Sequence, residues 1–220
     1  MTEDLALTMF DATTGKPVCN GSRIDLALAG AALFDLALAG RVDLVDKRVR
    51  ARNPAPTGEP FADAALARIS AERRPRKPVW WVQKLARGAR GRVLGQLVAA
   101  GVLQRTEKRV LGIFGLTRYP RTQPALTADP RHLVDAVVRG QPAVRPDQRT
   151  AALCALIAAM QVERAFFRDL RGREVRRRLV AAGSAGWAGD AVAAAVQEAI
   201  TAAVTAAVIG AIAASTAASG

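Results

Sequence analysis

Apolar positions along the chain fall into long stretches with helical spacing, interrupted by two short alternating ribbons and by Gly- or Pro-rich turns. Thr2 is placed to cap a first helix, with Glu3 and Asp4 at its positive end and Leu5, Leu7, Met9 and Phe10 as apolar contacts. Thr13 to Pro17 reads as a turn. A second helix is predicted from about Ile24 to Ala39, stopping at Gly40. It is apolar almost all round, which makes it central. Val42 to Val45 and Arg48 to Ala51 alternate about Asp46-Lys47 and predict a short hairpin. Spacing at Phe61, Ala65, Leu66 and Ile69 predicts a helix over 61–74. A basic, proline-broken linker, Arg73 to Pro78, leads into a helix from Val79 to Ala100 with a break near Gly88.

A second strand pair follows over 102–116, with a charged turn at Thr106 to Arg109 and one apolar arm, Val110 to Leu116. Tyr119 to Pro130 is irregular, and Asp129 or Pro130 opens a helix to Arg139. Asp147 is placed to cap a long helix through Met160, with more helix from Gln161 to Arg178, kinked near Gly172. Gly183 to Gly186 is expected to break it before a last, alanine-rich helix from Trp187. No residue from Ala199 to Gly220 is charged, a length that could span a bilayer. Alanine gains little from hydrocarbon, however, and Val204, Val208 and Ile212 form one stripe, so a buried terminal helix is expected. The pattern is mostly α with two small hairpins, in one domain over 1–220.

Composition sharpens this picture. Half the residues are hydrophobic but only 5% are aromatic, and alanine dominates, so the core must be built from closely packed helices. The net charge of +13 is concentrated. Residues 47–121 hold eighteen bases and four acids, whereas residues 1–46 hold three bases and seven acids. Such a field favours anionic partners.

The two cysteines, Cys19 and Cys154, have no metal-type spacing, and the lone His132 cannot complete a zinc set. Both thiols read as buried small hydrophobes in a reducing compartment. Glu3 and Asp4 stand where a signal peptide would carry Lys or Arg, so a cytoplasmic location is expected. No hydrolase elbow or phosphate loop is present, and Gly88, Gly91 and Gly95 match neither phosphate pattern and read as helix-packing positions. An enzyme is therefore not expected, nor a cofactor, nor a metal site.

Two constellations could bind something. The first is the helix over 88–100 with the adjoining ribbon. Arg87, Arg90, Arg92, Arg105, Lys108 and Arg109 could neutralise phosphates, as in a winged-helix nucleic-acid binder. The positions between those arginines are mostly apolar, though, and base reading needs polar side chains. Leu111, Ile113 and Phe114 make the ribbon better suited to a bilayer interface, where burying them contributes about 4–6 kcal/mol at most. They could equally pack on the protein's own core or on a second subunit. The second constellation is Arg145-Pro-Asp-Gln-Arg149 ahead of an apolar helix, either an anion site at a helix start or an ordinary cap.

Leu5 to Asp11 with Thr14-Gly-Lys16, Asp35 to Val42, Gly101 to Lys108, and Arg145 to Leu156 together resemble the Golgi phosphoprotein 3 family, in the expected order. The Ala, Arg and Val bias points to a bacterial-type member. The resemblance implies a mostly α domain: a central helix bundle with surrounding helices and two small β-hairpins, one protruding. It implies a peripheral membrane protein that recognises phosphatidylinositol 4-phosphate and holds membrane-protein clients. The family's lipid pocket, a Trp and three Arg, maps onto Asn20, Ala29, Arg145 and Gln148, with Arg149 adjacent. The expected function is thus a non-enzymatic adaptor on anionic phospholipid headgroups. Lipid contacts would come from Arg145, Arg149, Asn20 and Gln148, with Arg73 to Lys77 as a weaker headgroup cluster. Leu111, Ile113, Phe114, Arg105, Lys108 and Arg109 would form the membrane or homo-oligomer hairpin. A nucleic-acid binder and a purely structural oligomerisation domain are the alternatives.

Overall fold

The computed structural model describes residues 1–110, 114–123, 129–141, 146–185 and 191–217. In chain order the elements are α1 (Thr2–Thr8), α2 (Gly21–Leu38), β1 (Val42–Val45), β2 (Arg48–Ala51), α3 (Pro60–Ala71), α4 (Pro78–Ala86) and α5 (Ala89–Ala99). They continue with β3 (Thr106–Val110), β4 (Phe114–Arg118), α6 (Arg131–Arg139), α7 (Gln148–Met160), α8 (Glu163–Phe166), α9 (Gly172–Ala185) and α10 (Ala191–Ala217). The protein is mostly α with two small antiparallel hairpins, β1–β2 and β3–β4.

Two helices without a polar face form the centre. α2 buries Ile24, every residue from Leu26 to Phe34, and Leu36, and it packs against α1, α3, α4, α5, α7 and α10. α7 buries Thr150 to Met160 without interruption. A helix apolar on every side needs neighbours on every side, and the surrounding helices supply them. α9 shows the complementary case: Val175, Leu179, Ala182 and Gly183 face the core while Arg173 and Arg177 are exposed. α10 packs on α2, α4 and α7 through Ala203, Val204, Ala207 and Val208. Among the described residues, no helix is long and apolar enough to cross a membrane.

The β1–β2 turn uses Asp46 and Lys47, both at positive φ, the backbone that lets a two-residue hairpin follow the strand twist. β2 then gains a second backbone neighbour. Val49 N–H donates to Arg76 O at 2.9 Å, so the basic linker lies along the hairpin rather than free of it.

Several expectations are corrected. Thr2 is the first helical residue, not a cap: its N–H and hydroxyl both donate to Asp35, at 2.9 and 2.7 Å. Asn20 is the cap of α2, accepting from Ser22 N–H at 2.9 Å, which starts that helix three residues early. Thr106 to Arg109 is not a turn but most of strand β3, in register with Arg118 to Gly115. Charge is no turn signal by itself, because a two-stranded ribbon with solvent on both faces accommodates it. The better breaker, Gly112, falls between the strands at 111–113, outside the described residues. Gln161 adopts positive φ and ends α7, so 161–178 is a short α8 and a separate α9 rather than one kinked helix. α9 ends at Ala185, within the expected Gly183 to Gly186 break, but Gly183 itself is helical. A Cβ there would sit 3.0 Å from Ala155 Cβ, so it is the contact that lets α9 approach α7. Gly91 and Gly95, read as packing positions, have no atom within 4 Å of a would-be Cβ.

Candidate functional site

The β3–β4 ribbon stands on a fixed base. Gln104 N–H donates to Pro120 O and Thr122 N–H to Val102 O, while Leu103 bridges Arg121. Tyr119 N–H reaches Gly15 O at 3.2 Å, and Arg121 N–H reaches Ala12 O at 2.8 Å. Gly15 has φ +62°, and a Cβ on it would overlap the backbone of Tyr119 and Pro120, so only glycine lets the N-terminal turn meet the ribbon. Beyond this base Glu107, Leu116 and Thr117 are exposed, Leu116 at 42%. Arg105 is exposed and 3.2 Å from Glu107. Lys108, Arg109 and Phe114 are placed as strand positions opposite Leu116, Gly115 and Val110. Leu111 and Ile113 lie outside the described residues.

The arginines of α5 are spent on the protein's own body. Arg90 lies with its guanidinium against Gly21, where a Cβ would collide with it, and the Arg90 backbone N–H donates to Asp25 at 2.6 Å. Arg92 donates to Leu85 O and Arg87 O and sits 5.2 Å over the Phe61 ring. A helix that reads a groove would present these groups to a partner.

A different cluster of cations does face outward. Arg48 donates to Pro75 O at 3.0 Å, which together with the Val49–Arg76 bridge joins β2, the linker and the start of α4 into one basic surface. Trp80 is half-buried there, with Lys84 Nζ 4.3 Å and Arg76 Cζ 5.1 Å from its ring centroid. Trp81, fully buried, meets Trp80 edge-to-face at 4.8 Å and fixes its ring. A shallow cleft of about 240 Å³ is lined by Trp80, Gln83, Lys84 and Arg87. Beyond the Arg73 to Lys77 run, the sequence carries a further signal for this cluster: Glu72, Arg76, Trp80 and Lys84 recur every four residues. Pro75 and Pro78 hide it, since they interrupt the helix that such spacing implies.

The family model for Golgi phosphoprotein 3 (GPP34) matches residues 1–200. The chain belongs to the Golgi phosphoprotein 3 family.

In this Golgi phosphoprotein 3 family member the expected lipid-pocket positions do not all converge. Asn20 caps one end of α2, whereas Gln148 and Arg149 share a cleft of about 550 Å³ with Leu38 and Ala39 at the other end. Eighteen residues of helix separate the two ends by about 27 Å. Ala29 is wholly buried in α2. Arg145 lies outside the described residues.

The cleft holding Gln148 and Arg149 is also lined by Asp35, Glu59 and Asp147. Burial, and next the nearby charges of Glu3 and Asp35, push the Glu59 carboxyl above its ordinary pKa. Arg149 is itself engaged by Asp4 Oδ2 at 3.2 Å. Asp147 accepts from Thr150 N–H at 2.8 Å, so the start of α7 is capped by the protein's own carboxylate. Hydrogen bonds from Thr150, its hydroxyl first, hold that carboxyl below the usual range despite partial burial. An incoming anion would meet an occupied cap and a largely acidic wall.

Proposed function

We propose that this protein is a non-enzymatic, peripheral membrane adaptor that docks on anionic phospholipid, as its family membership suggests. The observation that carries the reading is the β3–β4 ribbon. It is tied down at Tyr119 and Arg121 and leaves Leu116 exposed, within a segment whose net charge is strongly positive. Apolar contact and long-range attraction then act together, each nearby Lys or Arg adding roughly 1 kcal/mol on an anionic leaflet. Phosphatidylinositol 4-phosphate selectivity has less support than general affinity for anionic headgroups, because Asn20, Ala29 and Gln148 replace three of the four pocket residues that the resemblance implies. Membrane-protein clients, a cytoplasmic location and a bacterial origin remain parts of the same proposal.

The test is co-sedimentation with vesicles. Binding should rise with anionic lipid and fall with salt; equal binding to neutral vesicles would overturn the reading. A second reading, self-association through the hairpin, is favoured by one feature, since a two-stranded ribbon leaves an outer edge on each strand. Light scattering of the protein lacking the ribbon separates the two. The nucleic-acid reading loses support from Arg90 and Arg92, which are engaged internally. A gel shift with duplex DNA at physiological salt checks it.

A further inference from the structure

We propose that the Trp80 cleft is a second membrane-contact surface of this protein besides the β3–β4 ribbon, with Trp80 at the headgroup level and Lys84, Arg87 and Arg76 on the phosphates of anionic phospholipids. This rests on the adaptor reading and assigns that surface to a place away from Gln148 and Arg149.

Charge balance is the first support. Among the described residues Glu72 is the acid paired with the cluster, and it is shared: Oε1 lies 3.5 Å from Arg76 and Oε2 lies 3.6 Å from Lys84. Both separations are long, and one carboxylate serves two cations. Arg87, on the rim, is exposed, and Arg73, Arg74 and Lys77 are exposed along the adjoining linker. The surface therefore carries a large uncompensated positive charge, in contrast to the acid-lined cleft at Arg149. Negatively charged lipid is the complement to the first and not to the second.

Rigidity is the second support. The linker is pinned to β2 through Val49 and Arg48, and Trp80 is braced by Trp81. The cations are thus held beside the ring before any partner arrives, which lowers the ordering cost of binding. The third support is the ring itself. A tryptophan with one buried edge, one open cleft and cations on its rim has the amphipathic character that places this residue at membrane–water boundaries.

The experiment uses the full chain and vesicles of phosphatidylcholine with a minority of phosphatidylglycerol. Lys84→Glu combined with Arg87→Glu should weaken binding tenfold or more, and the milder Lys84→Gln with Arg87→Gln should weaken it less. Circular dichroism checks that each variant is folded. With Trp187→Phe, brominated lipid should quench the protein's fluorescence through Trp80, because Trp81 is fully buried. Soluble glycerol phosphate at the same phosphate concentration should not displace the protein; full displacement would make the cleft a site for a small phosphate ester and overturn the proposal. If the wild type binds anionic vesicles but both double variants bind equally well, the cleft is wrong and the adaptor reading survives. If the wild type shows no preference for anionic vesicles, both fall together.

Discussion

Arg121, its side chain 2% exposed, donates to Asp129 Oδ1 at 3.1 Å, and the same Nη2 reaches the Leu7 carbonyl at 3.2 Å. One buried guanidinium thereby ties the end of the ribbon to α1 and to the entry of α6. Asp129 is drawn in further by Arg131 N–H at 3.0 Å. Removing the carboxylate leaves a positive charge in a poorly solvated place. Asp129→Ala should therefore cost about 3 kcal/mol in urea unfolding. A cost within experimental error of zero would mean that Arg121 finds solvent or another acceptor.

The cap of α7 gives a pH-dependent effect. Asp147→Ala should cost about 1 kcal/mol at neutral pH. Hydrogen bonds from Thr150 depress the folded-state pKa, so the folded protein holds this carboxylate more strongly than the unfolded chain does. The stabilisation is complete above the ordinary aspartate pKa and fades as pH falls through the depressed value. Wild type and variant should converge in stability in acid. A gap that stays constant down to strongly acidic pH would rule out the ionised cap.

The helix glycines should respond in opposite directions. Gly95→Ala adds a methyl where nothing lies within 4 Å, and should stabilise by about 0.5–1 kcal/mol through the lost backbone freedom of the unfolded chain. Gly183→Val pushes two extra methyls and a Cβ into the α7 contact at Ala155, and should cost about 1–3 kcal/mol. Thermal melts of the two variants suffice, and equal shifts would contradict the packing assigned to α9.

Cys154 is buried as expected but Cys19 is only partly buried, and both thiols should nevertheless react slowly in the folded state. Burial pushes Cys154 up to about 12 and Cys19 up to about 11, the latter partly offset by Arg23. At pH 8 about one Cys19 in a thousand is then thiolate, and fewer for Cys154. A disulfide reagent should react slowly with native protein and rapidly in denaturant. Fast labelling of the native form would show that one thiol is more open than its packing implies.

On the ribbon, Leu116→Gln should leave folding within about 0.5 kcal/mol of wild type, since the side chain is substantially exposed. If the ribbon touches the bilayer, anionic-vesicle affinity should fall about fivefold, from the loss of roughly 1 kcal/mol of apolar contact. An unchanged affinity with a changed molecular mass would assign the ribbon to self-association instead.

The bundle itself was legible along the chain. The all-round apolar runs of α2 and α7, the stripe Val204–Val208 in α10, the Asp46-Lys47 turn and the Asp147 cap are each local patterns, and each formed as read. Their cause is also local: side-chain spacing against the helix or strand repeat, and one polar side chain beside a free N–H. What stayed hidden needed contacts between distant segments. That Gly183 packs while Gly95 does not depends on which helix lies opposite. That Arg92 points to Leu85 O and Arg87 O, rather than to a partner, depends on the bend between α4 and α5. Asn20 and Gln148 come apart because a straight eighteen-residue helix sets their separation. Arg76, Trp80 and Lys84 come together because β2 captures the linker across two prolines. Periodicity in the chain determined which faces must be buried; only the joint packing of those faces decided which charges were left side by side on the outside.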